Sequence, residues 1–308
     1  MHPWVSLGFR MNSIKTRAIL ALVAAMLFWG CSSVFMRTLA LALSHENSLA
    51  VRYLCLSLIN VTVLAWLGTW RIPRADWPRF LVAGIAGMAG YNWFVNAGFE
   101  LVPAGVGTLV TMIEPLMIAI LAATLLGEKM TRWVLLGVAM AIAGAAVLFW
   151  PDLRAEAPSS VSPLGIFYLF LCCIGWAIYT IATKPLLAKH DSFTVTAITM
   201  LIAAPIMIGA ASQPLPALFA SLSLRQWAEV AYLVLVTGLG GTMLWNYGSK
   251  HLSSTAAGTF LYLIPVVAVV AGALMLGEAV TVYVVAGGLL MLAGVAAAQF
   301  GPALVARR

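Results

Sequence analysis

The chain has 308 residues, of which 63% are hydrophobic and 9% charged, with a mean hydropathy of +1.01. That is too little polar side chain to solvate a globular surface, so the composition excludes a water-soluble domain and implies an all-α integral membrane protein. A net charge of +7 does not point to nucleic acid, because the 17 Lys and Arg residues are scattered in ones to threes at the edges of apolar runs, where they orient helices.

The basic stretch Met1 to Arg17 leads into an apolar run as long as the later ones, which reads as a first membrane span and not a cleaved signal. Ten windows of roughly 20 residues, each able to cross about 30 Å of hydrocarbon, fall near 17–42, 47–70, 77–99, 104–126, 130–150, 163–184, 192–212, 225–247, 255–276 and 280–300. The connections are short except 151–162 and 212–224, which carry prolines and are expected to be loops. The first of these divides the chain into two five-helix halves, 17–150 and 163–300. Cys31, Cys55, Cys172 and Cys173 all lie inside apolar runs and read as buried thiols, with no metal-type spacing.

With the N-terminus inside, thirteen cations (Arg10, Lys15, Arg17, Arg71, Arg74, Arg79, Lys129, Arg132, Lys184, Lys189, Lys250, Arg307 and Arg308) fall on the inner side. Arg37, Arg52, Arg154 and Arg225 fall outside. The bias puts both termini in the cytoplasm of a bacterial-type inner membrane. Five is an odd number, so the second half enters from the opposite side to the first.

The halves also repeat in sequence. Residues 96–146 laid over 246–296 without a gap match at Asn96/Asn246, Gly98/Gly248, Pro115/Pro265, Gly127-Glu128/Gly277-Glu278, Thr131/Thr281, Gly137/Gly287 and Gly144/Gly294. Together with the odd helix count this predicts two inverted five-helix repeats, the construction of secondary transporters, with a substrate site near the midplane between them. For the first helix of each half the offset is 147: Trp29 matches Trp176, Ser32 matches Tyr179, Ser33 matches Thr180, Met36 matches Thr183 and Arg37 matches Lys184. These positions share one helix face. The stripe reads either as lining a substrate cavity or as ordinary helix packing by small hydroxyl residues.

A carboxylate in mid-span is costly and usually faces a cavity or a partner. Glu114 is such a group, ten residues into its span, and its counterpart is Ile264. A group so placed can exchange a proton for a substrate amine; it can also be a carboxyl satisfied by neighbouring amides. Pro115 and Pro265 each break a helix and free a carbonyl one turn back, near Thr111 and Leu261. Tyr91, Asn92 and Asn96 on the third helix, Asn60 on the second, Asn246 on the eighth and Tyr262 on the ninth add donors, acceptors and aromatic faces. With Trp29, Ser33, Glu114, Trp176, Tyr179 and Thr180 they form the expected substrate-binding set, suited to a small zwitterion or a polar metabolite with an apolar part. Glu128 and Glu278, each after a Gly in a tight turn, are expected to cap the helix that follows.

The early Phe28-Trp29-Gly30, the Pro115 to Gly127-Glu128 block, its copy Pro265 to Gly277-Glu278, and the helices ending at Gly144 and Gly294 make the chain similar to the drug/metabolite transporter superfamily, in particular to its ten-helix exporters with two EamA domains. The resemblance covers residues 17 to 300 and implies export of amino acids, metabolites or drugs. The aromatic load on the cavity faces resembles that of YddG-type exporters of aromatic amino acids. Expected partners are therefore a small-molecule substrate, an amino acid or similar metabolite, and the lipid bilayer, with no nucleic acid and no oligomer implied. No cofactor or metal is expected, nor ATP hydrolysis, since no Gly-x-x-x-x-Gly-Lys-Ser/Thr loop is present. An uncoupled facilitator or channel is the competing reading. An integral membrane enzyme acting on lipid is disfavoured, because His45, His190 and His251 are single residues beside helix ends, with no acid/base or metal cluster.

Overall fold

The computed structural model describes residues 3–69, 71–101, 107, 110–148, 150, 162–276 and 281–305; within these, the side chains of 3–13, 33–34, 37, 40–41, 269, 272–273, 275–276, 284 and 299–305 lie outside the description. The chain is an all-α membrane protein, and no strand occurs among the described residues. Its helices are α1 (Pro3–Leu43), α2 (His45–Leu67), α3 (Trp77–Val82, Ala83–Ala89 and Gly90–Leu101), α4 (Glu114–Leu125) and α5 (Arg132–Leu148). The second half repeats the series as α6 (Pro163–Lys189), α7 (Ser192–Gly209), α8 (Leu224–His251), α9 (Ser254–Gly258, Thr259–Tyr262 and Leu263–Leu276) and α10 (Val282–Val305). Five of these helical stretches, Ile14–Ser32, His45–Leu67, Pro163–Lys189, Ser192–Gly209 and Leu224–His251, are long and apolar enough to cross a membrane.

Three departures from the expected elements have local causes. The first helix starts at Pro3, ahead of the apolar window at 17. The connection 212–224 is not a bare loop: Pro214 and Pro216 supply the start of a short helix, Leu215–Ser221. The third helix of each half is wound wider over Ala83–Ala89 and Tyr232–Gly241, where backbone bonds run to the fifth residue, as in a π-helix. Both stretches are glycine-rich and both face the core. A β-carbon on Gly87 would fall 2.9 Å from the Tyr179 Cα, so α3 and α6 approach there at backbone distance.

The inversion is visible in one helix pair. A β-carbon on Gly137 would lie 2.6 Å from the Gly294 carbonyl oxygen, and one on Gly144 would lie 2.7 Å from that of Gly287. Position increases along α5 while it decreases along α10, so the two helices are antiparallel. Each contact becomes the other when the halves are exchanged, since Gly137 matches Gly287 and Gly144 matches Gly294. A two-fold relation between antiparallel helices requires an axis perpendicular to them, which for membrane-spanning helices lies in the membrane plane. The same relation pairs α2 with α7, through Asn47 with Ser212 at 2.9 Å near one end and Asn60 with Met200 at 3.8 Å nearer the other.

Polar contacts gather at the two ends of the bundle. At one end Asp76 accepts from Lys189 (2.7 Å) and His190 (3.0 Å), Lys250 donates to the His190 carbonyl (3.3 Å), and Lys184 donates to the carbonyls of Ser249 and Leu252. At the other, His45 lies 2.7 Å from Glu100 and 3.0 Å from Glu46. The first end is the one whose cations the sequence assigns to the inner side.

Candidate functional site

Where α1, α3, α6 and α8 meet, five aromatic rings touch. Trp29 and Trp176, the matched indoles of the two first helices, meet edge to face with centroids 5.2 Å apart. Tyr91 lies 5.0 Å from Trp176, and Tyr179 stacks on Trp176 at 4.9 Å. Trp245 approaches Trp29 at 5.8 Å and Trp176 at 5.6 Å. Such offset and tilted pairs are the favoured arrangements of aromatic quadrupoles. The π-wound stretch of α8 holds the cluster in place, because Trp29 donates its indole N–H to the Thr237 carbonyl at 3.1 Å. A β-carbon on Gly241 would strike that indole at 2.5 Å.

Polar groups surround the rings. Asn246 donates to the Tyr179 hydroxyl and to Thr196, both at 2.8 Å. The indole N–H groups of Trp176 and Trp245, the hydroxyls of Thr180 and Tyr262, and the amide oxygens of Asn60 and Asn246 are buried without a hydrogen-bond partner among the described residues. Buried polar atoms are normally paired, so these six are groups whose hydrogen-bonding capacity the described residues leave unfilled. Asn92 and Asn96 direct their N–H groups back to the carbonyls of Met88 (2.9 Å) and Asn92 (2.7 Å) on their own helix.

Each fourth helix is interrupted one turn before its proline, as the freed carbonyls imply. In the first half the helix turns at 112–113, just before Glu114 and Pro115, and the Val110 and Thr111 carbonyls meet the Cys173 thiol at 3.8 and 4.0 Å. In the second, Thr259–Tyr262 tightens into a 3₁₀ turn ahead of Pro265. Glu114 is 7% exposed and within electrostatic reach of Tyr91 and Tyr262, and no hydrogen bond or ion pair to its carboxyl is formed among the described residues.

The structure thus gathers Trp29, Tyr91, Trp176 and Tyr179 in one cluster, with Asn246 attached to it and Glu114 beside Tyr91. Trp29, Tyr91, Asn92 and Asn96 keep accessible surface, whereas Asn60, Glu114, Trp176, Tyr179, Thr180, Asn246 and Tyr262 are buried. Tyr262 lies beside Glu114 and makes no ring contact with the cluster among the described residues. The Ser33 side chain lies outside the described residues, as does Glu278. Sequence reasoning missed Trp245, which is fully buried and whose counterpart is Val95. Nor did it single out Arg52, counted only as a charge at the edge of its apolar run; the residue is 6% exposed, inside the bundle on α2.

Glu128 is a correction. Instead of capping the helix that follows it, its carboxylate crosses to the other half and accepts from the N–H groups of Ser254 (2.8 Å) and Thr255 (3.0 Å) and the Thr255 hydroxyl (2.9 Å) at the start of α9. Gly127, at φ +67°, supplies the left-handed turn that aims it there. Burial pushes this carboxyl up, but the bonds from Thr255 and Ser254 outweigh it and leave it below its ordinary value. Asp76 is likewise held low, by Lys189 first and His190 second.

An inverted-repeat helical bundle with an aromatic and polar centre at the meeting of its halves is a membrane transporter of small molecules. The chain belongs to the EamA-like transporter family, whose pattern it matches twice, over residues 16–150 and 163–298. It is 31% identical over 284 residues, 91% of this chain and 92% of the relative, to a protein of Streptantibioticus cattleyicolor named "Probable terminal-alkyne amino-acid exporter". It is 32% identical over 115 residues, 36% of this chain and 38% of the relative, to "Aromatic amino acid exporter YddG" of Ancylobacter novellus. A solved crystal structure superposes with a TM-score of 0.77 over 96% of this chain and 99% of that one, at 23% identity, a likeness of fold.

Proposed function

We propose that this transporter exports amino acids with aromatic or other apolar side chains, by alternating access around the ring cluster. The observation that carries the reading is the cluster of Trp29, Tyr91, Trp176, Tyr179 and Trp245 with the unpaired Glu114 beside it. Ring faces suit an apolar side chain and an ammonium group, and the carboxylate suits the ammonium. Two relatives named as amino-acid exporters, one of them aligned along nearly its whole length, support the same class of substrate. The end bearing Lys184, Lys189 and Lys250 faces the cytoplasm, as do both termini, because the cations gather there.

Counterflow in proteoliposomes, with a panel of labelled amino acids and with or without a pH gradient, tests the reading. Phenylalanine, tryptophan and leucine should exchange faster than aspartate or lysine. Equal exchange of all of them, or none, defeats it. Exchange that a gradient never drives uphill identifies a facilitator. Sidedness is checked by cysteine labelling: positions introduced at 129 and 189 should react only from the cytoplasmic face, and reaction of both from outside reverses the orientation.

A further inference from the structure

Seven acids fall among the described residues, and six have partners: Glu46 and Glu100 with His45, Asp76 with Lys189 and His190, Glu128 with Ser254 and Thr255, Asp191 with Thr194, and Glu229 with Arg225. Glu114 has none. The basic side chains show a matching exception. Arg52 lies seven residues into α2, about 10 Å from the helix start at 1.5 Å per residue, and is 6% exposed. Its Nε is sealed from solvent and unpaired, and among the described residues its guanidinium makes no ion pair, hydrogen bond or ring contact. A buried cation with no anion is costly, and such groups in membrane proteins mark ligand or ion positions.

Arg52 is joined to the ring cluster through its own helix. Tyr53, the next residue, is 2% exposed and within electrostatic reach of Tyr179. Leu56, one turn on from Arg52, packs against Gly238, adjacent to the Thr237 whose carbonyl holds Trp29. A buried base without a counter-ion among the described residues therefore lies on a helix that packs beside the aromatic rings. A guanidinium presents parallel N–H groups that match a carboxylate in two-point fashion.

We propose that Arg52 binds the carboxylate of the transported substrate, whose charge supplies its missing counter-ion. The proposal rests on the transport reading above and requires only a substrate with a carboxylate. The test is counterflow in proteoliposomes with labelled phenylalanine, 3-phenylpropionate and phenethylamine as separate probes, and phenylalanine amide as competitor. In the wild-type protein the amide should compete at least tenfold more weakly than phenylalanine. In Arg52→Gln the affinity for phenylalanine should fall at least tenfold, to that of the amide, with the amide unchanged, and Arg52→Lys should recover part of the loss. An amide that competes with the wild type as well as phenylalanine overturns the proposal without any variant having to fold. So does an Arg52→Gln protein in which acid and amide weaken equally, because Arg52 is then structural. Transport of 3-phenylpropionate but not phenylalanine would remove the amino-acid reading and leave Arg52 standing. Transport of phenethylamine alone, or of none of the three, sinks both.

Discussion

Gly98 of α3 packs against Leu169 of α6, and Gly248 of α8 packs against Leu22 of α1, in each case so closely that a β-carbon would strike the leucine side chain at 2.7 and 2.3 Å. The leucines are counterparts too, so this is one contact made twice. The halves part company at the centre: Tyr91 stands where the second half has Gly241, Trp245 where the first has Val95, and Glu114 where the second has Ile264. All three differences fall on the ring cluster or beside it. A substrate has no two-fold symmetry, and a site that obeyed the repeat would offer it the same surface twice. The repeated glycines and leucines make the scaffold, and the candidate site joins one repeated pair, Trp29 and Trp176, to groups that only one half carries.

That division can be broken most forcefully at the scaffold. Gly144→Val and its counterpart Gly294→Val each push a side chain into the opposing backbone carbonyl, at 2.7 and 2.6 Å, and should each cost more than about 4 kcal/mol. Fluorescence-detected size exclusion should find little folded protein for either, while Gly209→Ala, with open space around it, folds normally. A large difference between the two valine variants would show that the scaffold is not symmetric.

Next in size are the indoles. Trp176 is 4% exposed and touches four other rings, so Trp176→Ala should cost about 3–5 kcal/mol. Trp29→Ala, at a half-buried position, should lower the melting temperature less. Both should weaken amino-acid binding in the protein that survives. Unchanged affinity alongside a lowered melting temperature would make these rings packing alone.

Glu114→Gln sharpens the comparison without disturbing the scaffold. Affinity for an amino acid should fall about tenfold, roughly 1.4 kcal/mol, while its deaminated analogue is little affected. If counterflow persists but uphill transport driven by a pH gradient is lost, the carboxyl couples protons instead. Wild-type behaviour in all three respects leaves the carboxyl no part in transport.

The smallest effect belongs to the clasp between Glu128 and α9. Because the folded value of this carboxyl is depressed, its stabilisation is complete above the ordinary glutamate value of 4.5 and is lost as pH falls through the depressed one. The protection of the Thr255 amide, its exchange rate compared with the intrinsic rate at the same pH, should fall on acidification below that range, and Glu128→Ala, which removes a helix-start acceptor for about 1 kcal/mol, should abolish that fall. Protection at Thr255 that ignores both changes would mean the clasp holds nothing.

Much of this was legible because its physics is local or periodic. Apolar length marks helices, Pro115 and Pro265 break them, and the matched glycines betray a scaffold used twice. Trp29 and Trp176 could be paired from their offset alone. Trp245 could not, since its counterpart is an ordinary valine in an apolar run. The wider winding of α3 and α8 leaves only glycines as a trace, which a sequence uses for many other purposes. Arg52 looked like an edge charge because counting charges along a chain says nothing about what a helix face meets. Glu128 was assigned to the nearest helix in sequence, whereas the turn at Gly127 points it to a helix more than a hundred residues away.

The interfaces of the bundle carry a last consequence. The first helix of each half lies on the third and fourth of the other, α2 lies along α7, and α5 lies along α10, so the most extensive packing runs between halves and not within them. What looks like a domain in the sequence is therefore only half of the packed unit. A repeat made alone would have to meet a copy of itself lying upside down in the same bilayer, and the joined chain carries that second copy already turned over.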